Sequence, residues 1–448
     1  MFTKSGISAK FIILVHHLTL FSLSSENIIR TPCCYNISSN EDLIFNCSCS
    51  QRNDMLIIEG STVSCGEEHF FVPNTTTQWN VGECGDVHLS GSALAQLPYL
   101  HSLHLHNIDQ IHLAPEFFNQ YYTHLKSLRI SHAKFSPPEV SLDIHAQKLE
   151  SITLEHLTLE GDFSVLLQTQ NTHHLSNLFL KYCNIENLGE INLSTRYVEN
   201  FSLEHSIIKI IHSSAVFQDS NYITFLGNKI DKLQFLAIDS DVYNFTFVEN
   251  EVNSLALESM VVNNSTIVSV TKNSFYHIEQ FGLTWLQPRM EGGSLIFSSN
   301  HLYEFTPGTL IFYNSVHNKN LQIKNNMFHM GHCDCDSHQL IRQMTDANNE
   351  TLSNFYKERI DIYDLFIDTS YCIDETDKKH NLTEICKLPE SGLVFFLITF
   401  GILIISALLI ICVVRKIYKN SCKQRHKDKE AHHSTLINLI TVSSDEDE

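Results

Sequence analysis

"DVYNFTFVENEVNSL", residues 241–255, alternates apolar and polar residues as a half-buried strand does, yet sets Asn250 where an apolar residue is due. From its first apolar position it runs Val242-xx-Phe245-x-Phe247-xx-Asn250-x-Val252. The same template returns along the chain. It fits Leu175-xx-Leu178-x-Leu180-xx-Cys183-x-Ile185, Val268-x-Val270-xx-Asn273-x-Phe275, Leu295-x-Phe297-xx-Asn300-x-Leu302 and Leu321-x-Ile323-xx-Asn326-x-Phe328, and more loosely Ile223-x-Phe225-xx-Asn228-x-Ile230. Shorter copies begin at Leu100, Leu125, Leu149 and Val198.

The second apolar position falls at 103, 128, 152, 178, 201, 223, 245, 268, 295 and 321, in steps of 22 to 27 residues. Ten copies at such steps imply a solenoid, because one coil cannot bury its apolar face alone while stacked coils share a core. The pattern L-x-x-L-x-L-x-x-N/C-x-L resembles that of extracellular leucine-rich repeat proteins. The resemblance covers roughly residues 86 to 390 and implies a β-rich solenoid, a horseshoe with one short parallel strand per coil, closed by cysteine caps. In it Asn228, Asn250, Asn273, Asn300 and Asn326 face inward and stack, their amides satisfying backbone groups at the turn. Ile108, Ala133, Leu157, Cys183 and Ser206 fill that slot in the earlier coils.

Ten cysteines flank the array: Cys33, Cys34, Cys47, Cys49, Cys65 and Cys84 before it, and Cys333, Cys335, Cys372 and Cys386 after it. All ten are expected in disulfides, as befits an oxidising compartment. The C-terminal four resemble the family's terminal cap, which implies Cys333–Cys372 and Cys335–Cys386. A zinc site using Cys333, Cys335 and His332 or His338 is the competing reading. The pairing of the N-terminal six stays open.

Both chain ends are specialised. Lys4 and Lys10, the run "FIILVHHLTLFSL" and the small Ser22, Ser24 and Ser25 follow the plan of a signal peptide. Leu393 to Val414 carries no charge over 22 residues, enough to cross a bilayer core of roughly 30 Å. Arg415, Lys416, Lys419, Lys423, Arg425, Lys427 and Lys429 follow at once, which orients the N-terminal part outward. The sequons at Asn36, Asn46, Asn74, Asn192, Asn200, Asn244, Asn263, Asn264, Asn349 and Asn381 all precede the span. The expected division is a signal peptide over 1–25, an N-terminal cysteine-rich cap over 26–85, repeats over 86–332, a C-terminal cap and stalk over 333–390, a transmembrane helix over 391–414 and a disordered cytoplasmic tail over 415–448. Plasma membrane, type I, is the implied location.

Net charge is −20, and removing the +2 of the leader and the +1 of the tail leaves −23 outside, which argues against nucleic acid or another polyanion as partner. The positions flanking the strand's apolar residues point to one open face. Across coils they bring together His104, His106, Arg129, Glu155, Phe179 and Lys181, the expected ligand-binding group. Glu155, Lys181 and Glu204 form a column, but carboxylates two strands apart lie about 10 Å from each other, beyond glycosidase spacing. The lysine between them favours ionisation of both. No enzyme, cofactor or metal is therefore expected. The tail of 34 residues is too short for a catalytic domain, and Cys412 and Cys422 are palmitoylation candidates. The leading expectation is a non-catalytic surface receptor or adhesion protein that binds an extracellular or membrane protein. Homophilic adhesion and a carbohydrate-active β-helix enzyme are the alternatives.

Overall fold

The computed structural model describes residues 33–39, 42–49, 51, 54–90, 94–114, 117–118, 124–136, 140–146, 148–168, 175–193, 198–216, 220–288, 292–311, 320–345, 362–386 and 390–441. The expected signal peptide and Asn349 lie outside them. Two units result, Met1–Leu382 and Thr383–Glu448.

The first unit is one continuous sheet of 28 strands, numbered in chain order from β1 (Cys34–Ser39) to β28 (Lys379–Asn381). A coil from the middle shows how it is made. β15 (Ser220–Leu226) buries Ile223 and Phe225 and turns at Gly227 and Asn228. β16 (Lys229–Leu233) then buries Ile230 and Leu233, and after a second turn β17 (Ile238–Val248) begins. The first half of β17 forms a third side, and its second half is the first side of the next coil. Parallel registers hold each side: Phe225 opposite Phe247 on the first, Ile230 opposite Val252 on the second, Ile238 opposite Met260 on the third.

This is a β-solenoid, and it overturns the leucine-rich repeat horseshoe. That expectation had one strand per coil; here strands line two or three sides of each coil. The second side alone contains β12 (Asn184–Leu193), β14 (Ile207–Ile211), β16, β18 (Glu251–Leu255), β21 (Ser274–Ile278), β24 (His301–Phe305) and β26 (Met327–His329). Separate cysteine caps are corrected too. β2 (Asp42–Ser48) and β3 (Met55–Glu59) pair parallel with β6 (Gln78–Ser90), which pairs parallel with β7 (Ser102–Leu113). At the other end β27 (Tyr371–Ile373) continues the sheet from β26.

The inward asparagines form a ladder. Asn228, Asn250, Asn273, Asn300 and Asn326 are fully buried, and each Nδ2 donates to a main-chain carbonyl of the preceding coil, as Asn250 does to Phe225 at 2.9 Å. Each Oδ1 from Asn250 to Asn326 accepts the main-chain N–H of the ladder residue before it, over 2.9–3.1 Å. Ser206 and Cys183 continue the ladder: Ser206 N–H donates to Asn228 Oδ1 and Cys183 N–H to Ser206 Oγ. Every buried amide thus meets a turn group that water cannot reach.

The residue before the ladder slot is left-handed at ten successive corners, Asn107, His132, His156, Tyr182, His205, Gly227, Glu249, Lys272, Ser299 and Asn325, with φ between 49° and 65°. A non-glycine residue there costs roughly 1–2 kcal/mol. Its N–H is repaid with a bond to the next coil, as from Tyr182 to Glu204 O and from His205 to Leu226 O. Inside, Phe225, Phe245, Phe247 and Phe275 are buried and touch ring to ring along the axis, with Phe225 and Phe247 centroids 5.5 Å apart.

α1 (Cys335–Thr345) and α2 (Tyr363–Thr369) follow the last coils; Phe366 of α2 is buried against Phe297 and Phe328. In the second unit, α3 (Glu390–Thr441) contains one stretch, Phe396–Ser421, long and apolar enough to cross a membrane.

Candidate active site

The expected ligand-binding residues fall in two neighbouring columns of the first side. β7, β8 (Ser127–Phe135), β10 (Ser151–Gln168), β11 (Leu175–Lys181) and β13 (Val198–Glu204) align His104, Arg129, Thr153, Phe179 and Ser202 in one column. The other is His106, Ser131, Glu155, Lys181 and Glu204. The charges there satisfy one another: Arg129 binds Glu155 at 2.8 Å, Lys181 binds Glu204 at 3.1 Å and also lies 4.7 Å from the Phe179 ring centre. Burial works to raise the Glu204 carboxyl, but bonds from Ser202 and Lys181 outweigh it and hold it below the usual range. Burial, then His106 and Arg129, push His104 down to about 4, so its ring is neutral and shares a 3.3 Å hydrogen bond with Ser131 Oγ. This strip is a ladder of ion pairs.

A different carboxylate pair lies on the third side. Along the first half of β17, Ile238, Ser240 and Val242 point inward, which turns Asp239, Asp241 and Tyr243 outward together. Two residues along a strand is a backbone step of roughly 6.7 Å, so the two carboxyls are neighbours on one face. The two carboxyls are in different states of solvation. Burial first, and the Asp241 charge second, raise the Asp239 carboxyl above its ordinary range. Asp241 is exposed and accepts a 3.0 Å bond from Asn264 Nδ2. β19 (Met260–Ser265) sets Val261 beside Asp239 and Asn263 beside Asp241, and β22 (Trp285–Pro288) sets Trp285 beside Val261. Tyr243 is 48% exposed and Trp285 half-buried, so two large rings share a face with the acids. β17, β19 and β22 contain no lysine or arginine.

Glycoside hydrolysis draws on the same kinds of group: a carboxyl raised above its ordinary range, a second carboxyl beside it, and aromatic surfaces for a sugar ring. Sequence reasoning missed it. The signal was present as Asp-x-Asp at the head of a strand, but the repeat period occupies the strand's other half.

The remaining expected sites are placed as follows. Cys34 is bonded to Cys47, Cys49 to Cys84 and Cys333 to Cys372, and Cys335 and Cys386 are each in a disulfide. Cys33 and Cys65, expected in disulfides, are instead free thiols; they hydrogen-bond each other, and burial raises the Cys33 thiol far above its ordinary value. Cys183 is a buried free thiol whose burial raises it to about 11. Among the described residues no cluster of three or more His, Cys, Asp or Glu is arranged to hold a metal. Asn36, Asn74 and Asn264 are exposed; Asn46, Asn200, Asn244, Asn263 and Asn381 are half-buried, and Asn192 lies in β12. Cys412 is exposed on α3, which also contains Cys422.

No protein-family model and no curated protein matches the chain. Membership of the leucine-rich repeat proteins thus has neither the strand arrangement nor a family match behind it. The receptor and adhesion readings built on that membership, and the exclusion of an enzyme, are withdrawn with it. The β-solenoid is an architecture on which carbohydrate-active enzymes are built, although a fold alone does not assign an activity.

Proposed function

We propose that the protein is a membrane-anchored, carbohydrate-active β-solenoid that hydrolyses a glycan on the third side of its coils. The observation that carries this is the outward pair Asp239 and Asp241, two residues apart on one strand, with the first carboxyl raised by burial and by the second. Asp239 gives its proton to the glycosidic oxygen as the bond to the anomeric carbon breaks. Asp241 takes a proton from the water that attacks that carbon from the opposite side. Asn264 fixes Asp241, and the rings of Tyr243 and Trp285 offer faces to sugar. Three strands without a cation, in a chain of net charge −20, favour an uncharged or amino-bearing glycan over a polyuronate or sulfated one.

In the same proposal the solenoid faces outward. The basic run after the span supports it, as does the confinement of sequons to one side of that span. Asn36 and Asn74 are then open to glycosylation and Cys412 to a lipid.

The test uses the full-length protein in detergent, offered neutral, amino-bearing and anionic polysaccharides while new reducing ends are counted. Turnover of a neutral or amino-bearing polymer is expected, with kcat falling at least about 10²-fold in Asp239→Asn and in Asp241→Asn. Absence of turnover on every polymer, or a native rate in either variant, removes the proposal.

A further inference from the structure

Near the C-terminal end of the solenoid, His301 on β24 and His329 on β26 stack with ring centres 5.1 Å apart, and His301 Nδ1 lies 2.9 Å from His329 Nε2. One ring must donate and the other accept. Such a bond survives with both rings neutral or with one proton added, but not when both are imidazolium, since neither nitrogen then has a lone pair.

The surroundings decide which state prevails. Tyr303 of β24 stacks on His329 at 4.0 Å, and Tyr276 of β21 stacks on Tyr303 at 4.6 Å, donating its hydroxyl to Glu251 of β18. His277 and Glu304 pair at 3.3 Å on β21 and β24. From the hairpin of β27 and β28, Lys379 lies over the Tyr371 ring at 3.5 Å and opposes a proton on His301, while Asp377 at the turn favours one on His329. Burial is the largest influence on both imidazoles and lowers both, so the uncharged, bonded pair is the neutral-pH state.

The place matters because β26 is the seam to the end of the sheet. Met327, Phe328 and His329 pair with Tyr371, Cys372 and Ile373 of β27, and Met330 N–H donates to Ile373 O. We propose that His301 and His329 form an acid-sensitive latch, which holds the β26–β27 seam closed at neutral pH and loosens it when a second proton breaks their shared hydrogen bond. The sign follows from linkage. Imidazoles lowered in the folded protein bind fewer protons than in the unfolded chain, so this stability is present near neutrality and lost as pH falls below about 6.5.

Hydrogen exchange read by mass spectrometry on the full-length protein in detergent tests it, at about pH 7.5 and about pH 5, with times scaled for intrinsic rates. Segments 321–329 and 371–381 are expected to exchange at least about threefold faster at the lower pH, while β20 (Ile267–Thr271), which contains no titratable side chain, keeps its rate. His329→Gln, which hydrogen-bonds without titrating, is expected to remove the acid response, and His301→Gln to do the same should the first variant fold poorly. An unchanged seam at low pH overturns the latch, and so does a response that persists in the glutamine variants.

Discussion

At the scale of single residues, the ladder and the acid pair make separate demands. Asn250 Oδ1 accepts from the main-chain N–H and the Nδ2 of Asn228, and its own Nδ2 donates to Phe225 O. Asn250→Ala leaves the buried Asn228 N–H without its partner, which costs about 1–3 kcal/mol and is measurable as a lower denaturation midpoint. Asp239 is the opposite case. A carboxyl raised on folding lends stability only below its unfolded value, and loses it as pH rises through the folded one. Asp239→Asn is therefore expected to raise Tm at neutral pH and to give no gain near pH 3. Asn264 sits in a sequon, yet its amide is held by Asp241. Glycopeptide mass spectrometry should find sugar at Asn36 or Asn74 and none at Asn264; occupancy there would cover the acid pair. The residue-scale reading of the sequence went far with the asparagines, whose period was visible. It failed at Asp239, because a lone Asp-x-Asp has no period to announce it and its meaning comes from a strand neighbour, Val261 beside Trp285, that only the fold supplies.

Elements explain what the repeat template could and could not show. First-side strands such as β15 and the second half of β17 put apolar residues at alternate positions, and that alternation was legible. The second-side strands were not. In β16, "KIDKL", the buried residues are Ile230 and Leu233, three apart, which matches neither a strand's alternation nor a helix's repeat over so short a run. Missing these strands turned a solenoid with strands on several sides into a horseshoe with one. The corners between them are the fold's repeated strain. Gly227 has φ of +65°, and a Cβ there would come within 2.5 Å of the His205 ring. Gly227→Ala is expected to cost about 1–3 kcal/mol by chemical denaturation. Adding His205→Ala should recover part of that loss, so that the double variant falls short of the sum of the singles.

For the molecule as a whole, a long sheet and an apolar helix set the range of functions. α3 carries its apolar stretch at Phe396–Ser421, and alkaline carbonate washing is expected to leave the full-length chain with membranes but to release a chain lacking that stretch. Composition alone made the span legible, since length and absence of charge are one-dimensional properties. The candidate side was not legible at this scale, because it depends on which of three sides each half of a long strand joins. In the proposed reaction Asp239 and Asp241 act as acid and base across a water molecule. Proton NMR of the first product released from a glycan substrate reports that arrangement directly. An anomeric configuration opposite to that of the bond cleaved, formed by the native chain and by neither asparagine variant, is the predicted result; a retained configuration, or an asparagine variant as active as the native chain, would contradict it.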